Sequence, residues 1–276
     1  MPVSERQLAA FADEHAMTIP FDTQPRYIAG PGDPRHVTHA LATVGWANHA
    51  DPLSAQVELI SPDRRTTLRI SPQDSGAWWR IDGNPADGPY WYAHFGQMIP
   101  VEILAGLTDA LTGPVPHEIP DVWAVFSAAG WTCTRQDDGT HLAVSPDQLV
   151  HVSRETRHSG EDRPFWRIEA FGASWERLPF WTAWLANSPP AHVMSGFASA
   201  LVSADPLQRG MHARTGYSVT QERSPLTPEQ VIETHTRRLE AARARARSAR
   251  QAQKPAPHTR PAAVPDRPQT AVGRGR

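Results

Sequence analysis

The sequence has almost no cysteine and no long apolar run. Its single cysteine, Cys133, excludes a disulfide within the chain and is typical of a reducing compartment. No apolar run approaches the roughly 20 residues of a membrane-spanning helix, so we expect none. The first residues, MPVSERQLAAFADEHA, have no basic stretch followed by an apolar one. We therefore expect no secretory signal, no membrane association and a cytoplasmic protein.

Lysine is scarce too, and charge is unevenly distributed. Of 27 Lys and Arg residues only Lys254 is a lysine. Residues 235–276 contain 11 basic and 2 acidic side chains, a net charge of +9, whereas residues 1–234 contain 16 basic and 27 acidic side chains, a net charge of −11. Because phosphate binding needs a basic surface, nucleic acid is expected to meet the C-terminal region and not the acidic body.

Signatures of metal binding and catalysis are missing. His36 and His39 fall on adjacent turns of a predicted helix, but no second pair with zinc-ligand spacing follows, so surface histidines and no metal are expected. Ser127, Ser195 and Cys133 lack the glycines of a nucleophile elbow. We therefore expect no cofactor and no enzymatic activity. An enzyme with its site between two repeated units is a less favoured alternative, since pockets form at domain junctions.

An internal repeat organises the chain. The stretch WYAHFGQMIPVEILAGLTDAL at 91–111 returns as WTAWLANSPPAHVMSGFASAL at 181–201. Chance predicts roughly one or two identities over this length. The identical positions, aligned without a gap, are Trp91/Trp181, Ala93/Ala183, Pro100/Pro190, Gly106/Gly196, Ala110/Ala200 and Leu111/Leu201. Earlier matches keep the same order, and they are Gly45-Trp46 with Gly130-Trp131, Ser61-Pro62-Asp63 with Ser145-Pro146-Asp147, and Trp79-Arg80-Ile81 with Trp166-Arg167-Ile168. The sequence therefore predicts one unit used twice.

Hydrophobic periodicity predicts the fold of each unit. A capped helix is followed by alternating segments with turn residues between them, and then by a second helix. This gives an α+β fold made of two tandem copies of a helix, an antiparallel meander of about four strands, and a helix. Gly106 and Gly196 fall inside the last helix, where glycine costs about 1 kcal/mol relative to alanine. Their repetition indicates close approach of that helix to a neighbouring backbone.

Outside the repeats the chain changes character. Thr227-Pro228-Glu229-Gln230 is a helix start with a capping box, but the helix that follows has few large apolar residues and is expected to be poorly buried. Later residues, rich in proline, alanine and arginine, predict disorder. The expected segments are an N-terminal helical extension at 1–25, repeat domains with their own cores at 26–114 and 115–205, a linker at 206–226, a basic helix at 227–254 and a disordered tail at 255–276.

These motifs resemble a known family. The run YIAGPGDPRHVTHAL, the Gly-Trp after it, the SPD turn, the WWRI strand and the 91–111 stretch are together similar to the actinobacterial family named domain of unknown function 317, often present as two copies. The resemblance covers about Arg26 to Asp205, with a looser second copy. It implies no reaction, cofactor or binding residue. The abundance of arginine over lysine fits the high-GC genome that this source implies.

Two sets of residues are candidates for binding. The expected function is that of a non-enzymatic adaptor whose basic helix contacts a polyanion, most readily nucleic acid; the alternative is a protein-binding scaffold with a solubilising tail. The candidate polyanion-binding residues are Arg237, Arg238, Arg243, Arg245, Arg247 and Arg250. Tryptophans that recur in both units are predicted to be core. Those that occur once are candidates for a protein interface, namely Trp78, Trp123, Trp175 and Trp184.

Overall fold

The computed structural model describes residues 3–51, 53–74, 76–155 and 164–252. Helices and antiparallel sheets alternate along this part of the chain, which confirms the α+β prediction. The helices are α1 (Glu5–Ala16), α2 (Arg35–Thr43), α3 (Val101–Thr112), α4 (Val122–Ala128), α5 (Ala191–Val202) and α6 (Pro228–Ala252). The predicted tail at 255–276 lies outside the described residues.

Most of the strands belong to one large antiparallel sheet. In chain order the strands are β1 (Phe21–Gln24), β2 (Ala47–Asn48), β3 (Val57–Ile60), β4 (Thr66–Ile70), β5 (Trp79–Gly83), β6 (Trp91–Phe95), β7 (Thr132–Arg135), β8 (His141–Val144), β9 (Val150–Glu155), β10 (Phe165–Ala170), β11 (Trp181–Ala186), β12 (Leu207–Arg209) and β13 (Thr220–Arg223). The ten-stranded sheet has the order β2-β3-β4-β5-β6-β11-β10-β9-β8-β7. Its two meanders therefore meet at β6 and β11, with Phe95 opposite Ala183.

Both halves have the same order of elements. Each runs from a helix through five consecutive strands to a second helix, and the matched Trp79 and Trp166 lie on the fourth strand of their meanders. The predicted count of about four strands was too low, because a short strand, β2 or β7, directly follows each Gly-Trp. Buried apolar side chains of the two halves form one cluster. The two halves are therefore packed together through one cluster of buried side chains.

Helices α3 and α5 cross where the sequence placed its mid-helix glycines. A methyl group added at Gly106 would lie 2.4 Å from the Ala200 Cβ and 2.8 Å from the Gly196 carbonyl oxygen. The relation is reciprocal, since a methyl group at Gly196 would lie 2.6 Å from the Ala110 Cβ and 2.9 Å from the Gly106 carbonyl oxygen. Glycine is needed at both positions for this contact, and the predicted close approach is confirmed.

The segments before and after the repeats come together. Ser4 and Gln7 form the predicted capping box of α1. The 206–226 segment was expected to be a linker, but it supplies β12 and β13, which flank β1 in a three-stranded sheet. Sequence patterning missed these strands because each has only three or four residues and pairs with a strand nearly 200 positions away. Helix α6 then packs on α1, α2 and α3.

Candidate functional site

Helix α6 buries one face against the body. His235, Leu239, Ala242 and Ala246 are all less than 10% exposed, and their spacing of four, three and four residues places them on one side of the helix. The expected poor burial of this helix is therefore wrong. The physical reason is that small alanine side chains, which carry little hydrophobic signal in a sequence, let α6 approach its neighbours closely.

The buried face of α6 meets two histidines of α2. The Nδ1 of His235 lies 3.2 Å from the Nδ1 of His36, and its Nε2 lies 3.2 Å from the Nδ1 of His39. The ring of Phe11, from α1, stacks on His235 with 4.0 Å between centroids. Burial lowers the pKa of all three histidines, and burial together with its two neighbours lowers the pKa of His235 to about 3.

These contacts correct the expectation for the two α2 histidines. His39 is 5% exposed and His36 is half-buried, so neither is a surface histidine. In residues 3–252, leaving out the gaps in the structure, no group of three His, Cys, Asp or Glu side chains is arranged to hold a metal ion. The ring nitrogens of the two α2 histidines instead contact those of His235, so the His36–His235–His39 chain connects α2 with α6.

Two of the candidate arginines are held by one carboxylate of the body. Arg238 donates to Asp109 Oδ1 at 2.9 Å, and Arg245 donates to Asp109 Oδ2 at 3.0 Å. Arg238 also donates to the carbonyl oxygen of His36. The two arginines are seven residues apart on α6, which places them two turns apart on the same flank. Asp109, on α3, thus fixes α6 along its length.

The remaining candidate arginines differ in their surroundings. Arg237 is ion-paired with Glu233 one turn earlier on the same helix. Arg243 and Arg247 are exposed, one turn apart, and no carboxylate of the described residues lies within ion-pair distance of them. The side chain of Arg250 lies outside the described residues. The outward flank of α6 therefore presents two unneutralised guanidinium groups to solvent.

The structure separates the four candidate interface tryptophans. Trp175 is 73% exposed, in the loop between β10 and β11. Trp184 is half-buried on the sheet face away from the helices, between His94 and Arg167 on the adjacent strands. Trp123 stacks on Trp166 with 5.3 Å between ring centroids, and Trp78 also packs against the core, so these two act in packing.

The tryptophans that recur in both halves are buried, as predicted. All six are at most 6% exposed, and they are Trp46, Trp79, Trp91, Trp131, Trp166 and Trp181. Their repetition therefore reflects a shared way of filling the core rather than a ligand site.

A cavity of about 500 Å³ lies between α1, the start of α2, α6 and the three-stranded sheet. Arg209 and Glu102 form a bidentate ion pair in its wall, with both N–O distances 2.8 Å. Arg209 also donates to three carbonyl oxygens, those of Ala29, Gly30 and Gln208. Burial alone would raise the pKa of Glu102, but the Arg209 guanidinium lowers it to about 2. With its hydrogen bonds used within the protein, this pair joins β12 to α3 and has no donor left for a ligand.

Sequence reasoning missed the residues that make these contacts. His235, Asp109, Glu102 and Arg209 were not singled out, and their partners are more than 100 positions away along the chain. No local pattern marks such pairs. The spacing of His235, Leu239, Ala242 and Ala246 was the one available signal for the docked face of α6.

One segment of the chain matches a known family model. Residues 60–117 match the family model described as SPDY, domain of unknown function (DUF317). This match confirms the predicted family over a segment that contains β4, β5, β6 and α3. That the second half is another DUF317 copy stays a prediction, although its elements follow the same order. No curated protein and no solved structure matches the chain. None of the helices in the described ranges is long and apolar enough to cross a membrane.

Proposed function

We propose that this protein is a non-enzymatic binding protein, an adaptor that contacts nucleic acid through α6 and the basic residues beyond it. The observation that carries the proposal is the outward flank of α6, where Arg243 and Arg247 are exposed without a carboxylate partner in the described residues. Neighbouring phosphates are suitable partners for such guanidinium groups, which make strong charge-assisted hydrogen bonds to them.

The arrangement of charge supports this assignment. The net charge of −11 on residues 1–234 repels a polyanion from the body, so the +9 of residues 235–276 defines where it can approach. Because α6 is docked through Asp109, the arginine pair is held on a rigid element. Contacts to phosphate carry no base information, so binding is expected to have little sequence preference and a strong salt dependence.

Salt-dependent binding of a labelled oligonucleotide tests the proposal. Full-length protein should bind 20-nucleotide single-stranded or duplex DNA with an affinity that falls steeply with added salt. The Arg243→Glu, Arg247→Glu double variant should bind at least tenfold more weakly and lower the magnitude of the salt slope by about two, one for each phosphate that is no longer neutralised. A matched control, Arg135→Glu with Arg177→Glu, makes the same charge change at exposed positions of the body. Equal losses in the two double variants would show that only net charge matters, and no binding by the wild type would reject the proposal.

A protein-binding scaffold is the second candidate function. Trp175 and Leu178, in the loop between β10 and β11, are 73% and 80% exposed. Exposed aromatic and aliphatic side chains close together are typical of protein contact sites. If oligonucleotide binding is absent, the Trp175→Ala, Leu178→Ser variant should lose partners that the wild type retains in pull-down experiments.

We also propose a cytoplasmic location and an actinobacterial source. The single cysteine supports the first. The near-exclusive use of arginine over lysine supports the second. Fractionation of cells that express the protein from its own gene tests the location.

A further inference from the structure

His235 lies at the centre of the contact between α6, α1 and α2. Its ring is 1% exposed. Each of its two ring nitrogens faces a nitrogen of another imidazole, Nδ1 of His36 on one side and Nδ1 of His39 on the other, both at 3.2 Å. Undocking α6 would separate all three rings, because His235 is the link between them.

The geometry limits how many protons the docked chain can hold. A contact between two ring nitrogens has room for one hydrogen, because one nitrogen must donate and the other accept. The two contacts therefore hold one hydrogen each, and the outer Nε2 atoms of His36 and His39 hold one each. Three neutral rings already carry three hydrogens, so only one proton can be added while α6 is docked. Once α6 is undocked, each ring can take its own proton.

The surroundings of the chain offer little compensation for added charge. From α1, His15 donates to Asp33 at 3.0 Å. Arg35, at the start of α2, also holds Asp33 and is itself paired with Glu14.

The remaining charged neighbours are already paired as well. On α6, Arg238 is paired with Asp109. On the cavity side of His36, Glu102 is paired with Arg209. Within the described part of the protein, each of these neighbouring carboxylates is therefore already ion-paired, and none of them is left free to neutralise a second imidazolium.

We propose that the His36–His235–His39 chain is a pH-sensitive clasp that releases α6 from the body as the pH falls below about 6.5. The undocked form takes up to two more protons than the docked form, so docking is strongest above the ordinary histidine pKa and weakens as pH falls through it. Each proton that the undocked form binds and the docked form cannot bind lowers the equilibrium constant for docking about tenfold at one pH unit below 6.5. Counting only the two protons that the geometry excludes, docking should be about 100-fold weaker at pH 5.5 than at pH 7.5, and release would free Arg238 and Arg245 from Asp109.

Amide hydrogen exchange on the full chain measures this release without any ligand. Exchange rates are corrected for their intrinsic pH dependence and compared between peptides of residues 231–246 and peptides of α3 and α5. Between pH 7.5 and 5.5, protection of α6 should fall about 100-fold while protection of α3 and α5 stays constant. Unchanged protection of α6, or an equal fall in α3 and α5, would overturn the proposal.

Three histidine variants separate the clasp from a general acid effect. His235→Phe keeps an aromatic ring against Phe11 but removes both nitrogen contacts, so α6 should lose the part of its pH response that these contacts cause. His36→Gln removes one contact, leaves one excluded proton and should show a fall of about tenfold; it also serves if His235→Phe does not fold. His117→Gln, at an exposed position outside the cluster, should keep the full 100-fold response. A response as large as that of the wild type in His36→Gln or His235→Phe would contradict the mechanism.

Discussion

Replacing Gly106 by alanine tests the helix crossing that joins the two halves. The added methyl group would lie 2.4 Å from the Ala200 Cβ and 2.8 Å from the Gly196 carbonyl oxygen. Non-bonded carbon atoms prefer separations of about 3.5–4.0 Å, so α3 and α5 would have to move apart by about 1 Å. Neither contact can be relieved by rotating a side chain, because one partner is backbone and the other is a Cβ.

The size of the effect follows from two opposing contributions. Alanine stabilises a helix interior by about 1 kcal/mol relative to glycine. Overpacking costs about 1–3 kcal/mol, and two contacts below 3.0 Å place this site at the upper end. We therefore expect Gly106→Ala to lower the free energy of unfolding by about 2 kcal/mol. For a chain of this size that corresponds to a Tm about 4–8 °C lower.

Urea unfolding followed by circular dichroism gives the free energy of unfolding for a set of variants. Gly196→Ala should behave like Gly106→Ala, because its contacts are the reciprocal ones. Adding Ala200→Gly to Gly106→Ala removes one of the two close contacts and should recover part of the loss. Gly76→Ala is the control, since the nearest atom to its methyl group would be 3.8 Å away. A Gly106→Ala protein as stable as the wild type would refute the close crossing.

Four further perturbations address the docked helix and the cavity wall. Asp109→Asn removes two half-buried ion pairs and should lower the free energy of urea unfolding by about 1 kcal/mol; no change would mean that these pairs do not hold α6. Leu239→Ala should lower the free energy of unfolding by about 2–5 kcal/mol because Leu239 is buried. A chain ending at residue 226 lacks the whole of α6, so its free energy of unfolding should fall further. If α6 were a freely attached tail, this truncation would leave the free energy of unfolding unchanged. Since the pKa of Glu102 is lowered to about 2 from the ordinary 4.5, its contribution of about 3 kcal/mol is present above pH 4.5 and lost as the pH falls towards 2; Glu102→Gln should flatten this part of the stability curve in acid titrations of urea unfolding.

The elements that could be predicted from the sequence are those whose motifs occur in both halves of the chain. Gly106 and Gly196 predicted a close helix crossing, because a glycine repeated at the same position inside two helices indicates that another backbone packs closely there. The Ser-Pro-Asp turns and the recurrent tryptophans placed strands β3 to β6 and β8 to β11 in the right order. Each of these local patterns occurs twice in the same order, so a chance occurrence of the pattern is a poor explanation.

The unpredictable part depends on contacts between distant segments. Burial of α6 rests on alanines and on His235, whose partners on α2 lie nearly 200 positions earlier. The pair Glu102 and Arg209 is also non-local. Short strands such as β12 contain too few residues to show the alternation of apolar and polar side chains that marks a strand. They form because β1 pairs with them. Tertiary contacts, not local propensity, decide these elements.

Photo-cross-linking to a 4-thiouracil-substituted oligonucleotide tests the central claim most directly, because it locates bound nucleic acid on the intact protein. Cross-linked peptides identified by mass spectrometry should come from residues 237–276, and the yield should fall in the Arg243→Glu, Arg247→Glu variant but not in the Arg135→Glu, Arg177→Glu control. Cross-links on the open face of the ten-stranded sheet, around Trp184 and Arg167, would contradict the account by placing the site on the body.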